Sequence, residues 1–467
     1  MHIYTDMKIR MALSTKHKER IVEMMKQRTR NLAALLALIL LLTVGICLPA
    51  TGESDDPHRA YSGTTLNVLL KEGYEIEVMQ TYYKDFEEET GIKVNIEVYD
   101  ESTTRQKYIL DVTSQTGFYD ITATSFWYFP EYQINGWLAP IDDLIANHAD
   151  PEWYHPEDIP QSAMDTFSAD GQHYCMPQTI ISGMAYYRKD ILEKHGIEAP
   201  KTTQDIMEML PVLKEKEPDM IGIAERGAAN FASLGTYLGW AWGYGAQLLD
   251  ENYGVHANSP EMVQAVGDLV SLIREYGPAD APSLTFTQMA EKYVSGNCIF
   301  FFDTSGHGSQ IEDPTQSVVN GKTGYAILEG PEGRPLQWLY MEGLGINAYS
   351  QNKEAAWLFL QWRMSRETTM KELTELARTD VPSLYVLNSP EYDEYAETNG
   401  ITEYTTLLQE SWEMADINYW PFIPQFVEIG DAFMVEVSAA IAGTQDVQTA
   451  LDNAQRNIEQ IMQDAGY

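Results

Sequence analysis

The feature that most constrains the fold of this chain is a regular change of apolar spacing between residues 65 and 98. Residues 65–70 form a short apolar run, which is typical of a buried strand. Residues 75–89 carry apolar side chains at helical spacing, and that segment stops at Gly91. Residues 92–98 then alternate strictly between apolar and polar side chains, as a half-buried strand does. The pattern predicts a strand, a helix and a second strand in succession.

The same order continues through the next segment. We predict a helix over 102–115 with Ser102 as its N-cap, followed by a third strand over 119–124. Strands that alternate with helices indicate βαβ units and a largely parallel sheet, so we expect an α/β fold. Such sheets bind ligands at the carboxyl ends of their strands. Those ends are residues 71–74 and 125–128, and neither is a glycine-rich phosphate loop.

Residues 179–338 form a second predicted α/β unit. A glycine-punctuated stretch over 339–347 then returns toward the first unit, and a polar segment follows the next helix. The further elements that we predict are strands at 184–187 and 298–302 and helices at 203–216, 259–276, 285–295, 353–365 and 445–464. No long linker separates the two units, so we expect two lobes joined by several crossings, with a cleft between them.

The first 52 residues have the pattern of a secretory signal. A basic segment precedes an apolar stretch over 32–46, and polar residues follow. That stretch is shorter than the ~20 residues of a membrane-spanning helix, so we expect export, with a permanent N-terminal anchor as the alternative. Residues 1–23 make an unusually long basic region, and a start at Met24 or Met25 gives the signal an ordinary length. We therefore expect an extracytoplasmic protein, either periplasmic or tethered to the cell surface.

The three cysteines raise two further questions. Cys47 stands where a lipoprotein signal places its acylated cysteine, but Ile46 replaces the small residue that usually precedes it. Lipidation of Cys47 and cleavage within residues 50–52 therefore both stay open. Cys175 and Cys298 are expected to be isolated buried thiols, with a disulfide between them as the alternative. The chain has no CxxC pair of the kind that binds zinc.

The charge of the chain excludes one class of partner. With 69 acidic and 31 basic residues, the formal net charge is −38. So negative a protein repels nucleic acids and anionic membranes. Beyond residue 46 no apolar run approaches the length of a membrane span, and the 44% hydrophobic composition is that of a globular protein. We expect a monomer with no nucleic-acid partner.

Aromatic residues at predicted strand ends and loops are candidate ligand contacts. The chain has 28 tyrosines and 10 tryptophans, and aromatic clusters stand at 126–129, 240–244, 338–340 and 419–422. Aromatic faces pack against the C–H faces of sugars, while carboxylates, amides and guanidinium groups bind hydroxyls. A single aromatic is more often a core residue than a ligand contact. The polar residues of suitable type are Asp303, Gln178, Asn230, Arg226 and Arg378.

Signatures of catalysis are missing from the sequence. It has no GxSxG, HExxH, Walker loop or GxGxxG after a strand, and we predict no metal and no cofactor. A carboxylate pair of the glycosidase type stays open, because many acidic residues are present and no spacing singles one out. His307, in a glycine-rich loop, is the most suggestive of the nine histidines, although a loop histidine is usually just solvated.

From about residue 66 to the C-terminus, the chain resembles the family 1 extracellular solute-binding proteins of sugar ABC transporters, the group that includes maltose-binding protein. The motifs that carry the resemblance are, in order, Phe86-Glu-Glu-Glu-Thr-Gly-Ile-Lys-Val, Tyr119-Asp-Ile, Gly136-Trp-Leu-Ala-Pro-Ile-Asp-Asp-Leu, Asp170-Gly-Gln-His-Tyr-Cys-Met-Pro, Met184-Ala-Tyr-Tyr-Arg-Lys-Asp-Ile-Leu and Gly343-Leu-Gly-Ile-Asn before Lys353-Glu-Ala-Ala-Trp. Each motif is weak alone, and their order along nearly the whole chain makes the resemblance strong.

Other stretches resemble the branch of this family that binds sugar alcohols such as mannitol and sorbitol. They lie at 104–106, 222–227, 296–304, 380–382 and 423–430. The chain departs from that branch where tryptophan is usual, because Phe231 and Arg378 stand there, and Glu342 lies near Trp338 in the sequence. The specific ligand therefore stays open.

The resemblance implies a two-lobed periplasmic-binding-protein-like α/β fold, with a hinged cleft that closes around the ligand. We assign residues 61–178 and 341–376 to lobe 1, and residues 179–340 and 377–467 to lobe 2. The expected function is to capture a sugar or sugar alcohol in the cleft and deliver it to the transmembrane subunits of an ABC permease, without catalysis. The predicted ligand contacts are Asp303, Arg226, Gln178, Ser125, Phe126, Asn230, Phe231, Trp240, Glu342 and Arg378.

Asp303 and Arg226 are the strongest of these candidates. A carboxylate that accepts two hydrogen bonds suits a vicinal diol, and the alternative for Asp303 is an N-cap before Thr304. On the ligand-binding hypothesis, replacing Asp303 by alanine abolishes binding and leaves the stability of the ligand-free protein nearly unchanged. Two other functions stay open: a secreted carbohydrate-active enzyme with an acidic pair in the cleft, and a sensory receptor that reports to a membrane kinase.

Overall fold

A mixed β-sheet runs through the protein and brings the ends of several strands to one cleft. The computed structural model describes residues 56–73, 76–336, 339–414 and 420–467. Met1–Ala60 and Tyr61–Tyr467 are separate units, and the sheet belongs to the second. The signal segment and Cys47 lie outside the described residues. The strands are β1 (Thr65–Lys71), β2 (Lys93–Tyr99), β3 (Ile121–Ser125), β4 (Ser168–Ala169), β5 (Gln172–His173), β6 (Cys175–Arg188), β7 (Ile221–Ile223), β8 (Cys298–Thr304), β9 (Thr323–Ala326) and β10 (Leu339–Ile346).

The strand order of the large sheet is β2-β1-β3-β10-β6-β8-β7, with β9 on β6. β1 pairs in parallel with β2 and β3, and β7 with β8, as the βαβ pattern predicts. The prediction of a largely parallel sheet is nevertheless wrong. β10 is antiparallel to both β3 and β6, and β6 is antiparallel to β8 and β9. β10 returns from the second half of the chain and enters the sheet in the opposite direction, which period-two alternation cannot reveal.

The long strand β6 belongs to both halves of the sheet. Its first residues pair with β10, and its last residues pair with β8 and β9. The predicted lobe boundary after residue 178 therefore falls inside a continuous strand. β10 passes close to this strand because it carries glycine at the crossing: a Cβ on Gly343 would lie 2.7 Å from Cys175 Cβ. The glycine-punctuated stretch is thus a strand whose glycines permit close approach.

Helices cover both faces of the sheet and fill the C-terminal third of the chain. They are α1 (Glu77–Thr90), α2 (Glu101–Ser114), α3 (Phe129–Ile134), α4 (Asp142–His148), α5 (Gln161–Thr166), α6 (Lys189–His195), α7 (Thr203–Lys216), α8 (Leu234–Gly243), α9 (Pro260–Tyr276), α10 (Phe286–Val294), α11 (His307–Glu312), α12 (Lys353–Arg363), α13 (Arg366–Thr374), α14 (Leu384–Leu387), α15 (Pro390–Asn399), α16 (Thr402–Met414), α17 (Phe426–Ile441) and α18 (Val447–Ala465). Among the described residues, none of these helices is long and apolar enough to cross a membrane.

Two details of the helix predictions are wrong. Asp100, not Ser102, caps α2: its carboxylate accepts a hydrogen bond from the Thr103 amide at 3.0 Å. The cap moves because Asp100 follows the last residue of β2 directly, so the chain turns into the helix two residues earlier. The segment after residue 365, read as merely polar, contains five helices, α13 to α17. Several of these are short, which leaves too few turns for a clear apolar period.

The buried residues form several clusters on the two sides of the crossing strands. In lobe 1, Phe86 of α1 meets Phe359 of α12 edge to face, with ring centroids 5.1 Å apart. In lobe 2, α8, α9, α17 and α18 pack over the sheet around Trp240 and Phe302. Cys175 and Cys298 are both buried free thiols, which confirms the prediction of isolated cysteines.

Candidate functional site

A cavity of about 250 Å³ opens in the cleft, where strands of both lobes end. One wall follows β1, the start of α2 and the residues after β3, and the facing wall follows β7, the start of α8 and the end of β8. Carboxyl ends of strands meet here, as the open-sheet rule predicts. The cavity is lined by Lys71, Glu72, Gly73, Glu101, Trp127, Ile181, Arg226, Phe231, Ala232, Gly235, Phe286, Thr304, Tyr340 and Trp420.

The lobe 1 wall is organised around the buried carboxylate of Glu342, on β10. The Tyr340 hydroxyl donates to Glu342 Oε2 at 2.9 Å, and Gln178 Nε2 donates to Oε1 at 2.6 Å. The Lys71 ammonium lies 3.0 Å from Oε2 and sits over the Tyr340 ring. Glu342 itself is fully buried, so it does not reach the cavity. It neutralises Lys71 and fixes the Tyr340 ring that lines the wall.

A second carboxylate, Glu101, stands at the cavity surface. It is the first residue of α2, where the helix dipole favours a negative charge. Glu101 Oε1 accepts from Trp127 Nε1 at 3.0 Å and from Ser125 Oγ at 3.4 Å. Ser125 Oγ also hydrogen-bonds with the Tyr340 hydroxyl, 3.0 Å away. The carboxylate therefore orients the indole of Trp127 and offers acceptor oxygens to a hydroxylated ligand.

The lobe 2 wall is organised around an ion pair between Arg226 and Asp303. Arg226 Nε donates to Asp303 Oδ2 at 2.6 Å and Nη2 donates to Oδ1, while Nη1 donates to the Ala232 carbonyl at 2.8 Å. Asp303 is fully buried at the end of β8, and its Oδ1 also accepts from the Thr304 amide at 2.6 Å. Arg226 lines the cavity and Asp303 lies behind it. The planar guanidinium is thus held in one orientation toward the ligand space.

The electrostatics of this wall follow from burial and from the ion pair. Burial alone would raise the pKa of Asp303, but Arg226 and His307 together hold that pKa at about 2. Glu225, the neighbour of Arg226, is also fully buried. Its burial, and then the Asp303 carboxylate, raise the pKa of Glu225 well above the ordinary value. The wall therefore holds two buried carboxyl groups whose pKa values are shifted in opposite directions, that of Asp303 downward by its ion pair and that of Glu225 upward by its burial.

Aromatic rings from both lobes close the cavity on one side. Trp127 of lobe 1 meets Phe231 of lobe 2 edge to face at 5.6 Å between centroids. The ring of Trp127 also lies 4.8 Å from that of Tyr340 and 5.9 Å from that of Trp420. Flat apolar faces in this arrangement suit the C–H surfaces of a carbohydrate. The clustered aromatics of the sequence meet here, although Trp338 and Tyr419 lie outside the described residues.

The predicted ligand contacts divide into three groups. Arg226 and Phe231 line the cavity. Ser125, Phe126, Asp303 and Glu342 lie directly behind the lining, each buried and in contact with a residue that faces the cavity. Gln178 lies one layer further back, buried and hydrogen-bonded to Glu342. Asn230, Trp240 and Arg378 do not line this cavity of about 250 Å³, and Arg378 borders a second, larger cavity instead.

Each of the last three has a structural role. Asn230 Oδ1 accepts from the Ala232 amide at 3.1 Å and caps the short 3₁₀ helix Phe231–Ser233. Trp240 is fully buried in α8 and packs on Phe302. Arg378 belongs to a buried ionic cluster: it pairs with Glu372 at 2.5 Å and donates to Thr179 Oγ1 of β6 at 3.0 Å. The structure does not bring these side chains to the cavity.

The prediction of contacts missed several lining residues that the sequence had partly marked. Lys71 and Trp127 stand at the strand ends singled out above, and Tyr340 and Trp420 belong to the aromatic clusters. Glu101 and Phe286 had no such mark. Both are the first residues of their helices, α2 and α10. The signal that would have found them is their position at the start of a helix, directly after a strand or loop near the cleft.

One further group has the residue types of a metal site. His155, Glu157 and Asp158 have ligand atoms within 4.8 Å of one another. Arg366 already pairs with this group, at 2.6 Å from Asp158 and 3.2 Å from Glu157. The guanidinium occupies the carboxylates that a cation would need.

Comparisons with known proteins agree with this architecture. Residues 72–370 match the family model of the bacterial extracellular solute-binding proteins. A mannitol-binding protein of Pseudomonas aeruginosa is 28% identical over 432 residues, covering 88% of this chain and 96% of the relative.

Two solved structures have the same two-lobed fold. An ABC transporter solute-binding protein of Agrobacterium vitis, crystallised with D-mannitol, is 27% identical with a TM-score of 0.77, covering 86% of this chain and 99% of the other. One of Agrobacterium radiobacter, in complex with ribitol, is 22% identical with a TM-score of 0.76 over the same shares. Because the family model matches more than half of this chain, the chain belongs to the bacterial extracellular solute-binding proteins.

Proposed function

We propose that this protein is the extracytoplasmic substrate-binding component of an ABC importer, and that it captures a small sugar alcohol or sugar in the cleft. The observation that carries the proposal is the cavity wall itself. Each lobe presents a cation held by a fully buried carboxylate, Lys71 by Glu342 and Arg226 by Asp303. Aromatic faces lie between them. Donors fixed in this way bind hydroxyl oxygens without ordering cost at the moment of binding.

An acyclic sugar alcohol is the ligand class that the relatives favour. The Pseudomonas aeruginosa relative is a mannitol-binding protein, and the Agrobacterium vitis structure contains D-mannitol. The size of the cavity supports a small ligand, because about 250 Å³ lies below the range of ~300–1,000 Å³ typical of drug-sized ligands. Phe231, which replaces an expected tryptophan, gives this chain its own aromatic wall and a ligand preference of its own.

Capture would proceed by closure of the lobes around the ligand. Residues of both lobes line one cavity, so a bound polyol bridges Glu101 and Lys71 on one side to Arg226 on the other. Bridging stabilises the closed arrangement, and that arrangement is what a permease would recognise. β6 and β10, which cross between the lobes, are the segments on which such a hinge acts.

Calorimetric titration with mannitol, sorbitol, ribitol, erythritol, glucose and maltose tests the proposal. We expect micromolar or tighter binding of at least one polyol and a melting temperature that rises with its concentration. Trp127→Ala should weaken that binding, whereas Tyr253→Ala, at an exposed aromatic outside the cavity, should not. Absence of any carbohydrate binding would refute the ligand class. Mass spectrometry of the recovered ligand decides between receptor and enzyme, since chemical turnover would contradict a receptor.

The partner and the anchoring need separate tests. Permease genes beside the gene for this protein, and loss of polyol uptake on its deletion, would support import, while a neighbouring membrane kinase would favour a sensory role. We propose membrane tethering through Cys47 as one of two possible arrangements. Metabolic labelling with a palmitate analogue, compared between the natural protein and Cys47→Ala, distinguishes a lipid anchor from release by cleavage.

A further inference from the structure

A second and larger cavity lies next to the first in the same unit of the chain. Its volume is about 530 Å³, and its walls come from the start of α1, from α11, from residues 376–379 and from α15. Many of the side chains around it carry hydrogen-bonding groups: Ser309, Gln310, Glu312, Gln316, Thr379 and Asn399. A space of this size and polarity is suited to a sugar unit, yet the proposed ligand site leaves it unused.

Phe286 is the one described residue that lines both cavities. Phe286 is 37% exposed, which places it among the exposed large hydrophobic residues of the described chain. It is the first residue of α10, and a capping box between Thr285 and Gln288 fixes the backbone there. The ring therefore projects from a rigid helix start into the boundary between the two spaces.

Two flat groups hold the Phe286 ring in place. The guanidinium carbon of Arg226, which lines the first cavity, lies 4.7 Å from the ring centroid. The imidazole of His307, which lines the second cavity, stacks on Phe286 at 4.3 Å between centroids, with 24° between the planes. Asp303 and the Ala232 carbonyl keep Arg226 in position, and His307 is nearly fully buried. The ring thus stays between the cavities without a ligand.

We infer that Phe286 is a partition that sets the length of the ligand. With the ring present, only a monomeric polyol or monosaccharide fits, because the first cavity alone falls below the usual size of a ligand pocket. Without the ring, the two cavities join into a space well inside the ~300–1,000 Å³ range. A disaccharide alcohol then extends from the aromatic wall past Arg226 into the polar second cavity. This inference rests on the proposed function, since it concerns the length of the same ligand.

The test is Phe286→Ala, titrated by calorimetry with mannitol and sorbitol as monomers and with maltitol and lactitol as disaccharide alcohols. The natural protein is expected to bind mannitol or sorbitol and neither of the disaccharide alcohols. The variant should bind mannitol or sorbitol roughly tenfold more weakly, because the cation–π contact with Arg226 is lost. It should also bind at least one of the two disaccharide alcohols. Phe231→Ala is the matched control. Phe231 lines only the first cavity, so its loss should weaken the binding of mannitol or sorbitol without allowing a disaccharide alcohol to bind.

The outcomes separate the inference from the proposed function. If the natural protein binds mannitol or sorbitol but Phe286→Ala binds neither disaccharide alcohol, the partition is refuted while the proposed function stands. If the natural protein binds maltitol or lactitol as tightly as mannitol, the partition is again refuted. If the natural protein binds no carbohydrate, the proposed function fails. A crystal structure of Phe286→Ala then decides the partition by itself: two cavities still separated overturn it, and one continuous cavity supports it.

Discussion

Replacing Arg226 by methionine should reveal its pairing with Asp303 as a change in stability that depends on pH. Methionine keeps much of the volume of arginine and removes the charge, so Asp303 is left fully buried without its main partner. Removing one member of a buried ion pair costs ~3–5 kcal/mol. Because Arg226 borders a cavity and His307 Nε2 lies 3.7 Å from Asp303 Oδ1, we expect about 2–4 kcal/mol at pH 7.5.

The sign of the pH dependence follows from the pKa of Asp303. In the natural protein that pKa is about 2, below its value in the unfolded chain, so the stabilisation is present above about pH 4 and is lost only as the pH falls toward 2. In the variant, burial dominates and raises the pKa above its unfolded value. The carboxyl group then becomes neutral in mild acid, and the penalty shrinks as the pH falls. Glu225 and His307 are the other titratable groups that interact with Asp303.

Thermal unfolding followed by tryptophan fluorescence measures the difference. At ~2.1 cal/mol/K per residue, a unit of about 400 residues has an unfolding entropy of about 0.84 kcal/mol/K, so the melting temperature should fall by ~2–5 °C at pH 7.5 and by much less at pH 4.5. Arg188→Met, which breaks the partly exposed pair with Asp190, is a control whose deficit should not change between these values. A deficit for Arg226→Met that is equal at both pH values would refute the reasoning. The sequence led us to expect that Asp303 can be removed without loss of ligand-free stability. Because Asp303 is fully buried and paired with Arg226, we now expect its removal to lower that stability as well.

Three further predictions follow from the burial of single side chains. Relative to the natural chain, Glu225→Gln should gain stability as the pH rises above the pKa of an unfolded glutamate, because the raised pKa of Glu225 makes the unfolded chain lose this proton more readily than the folded protein does; a difference in melting temperature that stays constant from pH 5 to pH 8 would contradict this. Trp240→Ala should cost ~3–5 kcal/mol of stability without changing the affinity of the folded protein, whereas Trp127→Ala should do the reverse; calorimetry and thermal unfolding together decide. Cys175 and Cys298 should react with a thiol reagent only after unfolding, since burial raises the pKa of the Cys298 thiol to about 12 and that of Cys175 further; rapid reaction of the native protein would show that one is accessible.

The sequence alone determined the local elements and the family. Apolar periodicity needs only neighbouring residues, so it located β1, α1, β2 and α7 closely. The ordered motifs between Phe86 and Asn347 indicated a two-lobed binding protein, and the strand ends at Lys71 and Ser125 pointed to the cleft. These features are encoded in short stretches of chain, which is why they can be recognised without a structure.

Only the tertiary structure decided which polar residues face the cavity and which support them from behind. Asp303 and Glu342 are both acidic residues at strand positions, and nothing local distinguishes a carboxylate that binds ligand from one that holds Arg226 or Lys71. Trp240 and Trp127 both belong to aromatic clusters, yet one packs in a helix core and the other lines the cleft. Contacts between segments far apart in the chain decide whether a side chain faces the cavity, such as those of Arg226 with Asp303 and of Gln178 with Glu342. Sequence periodicity carries no information about such pairs, so their roles appear only when the chain is folded.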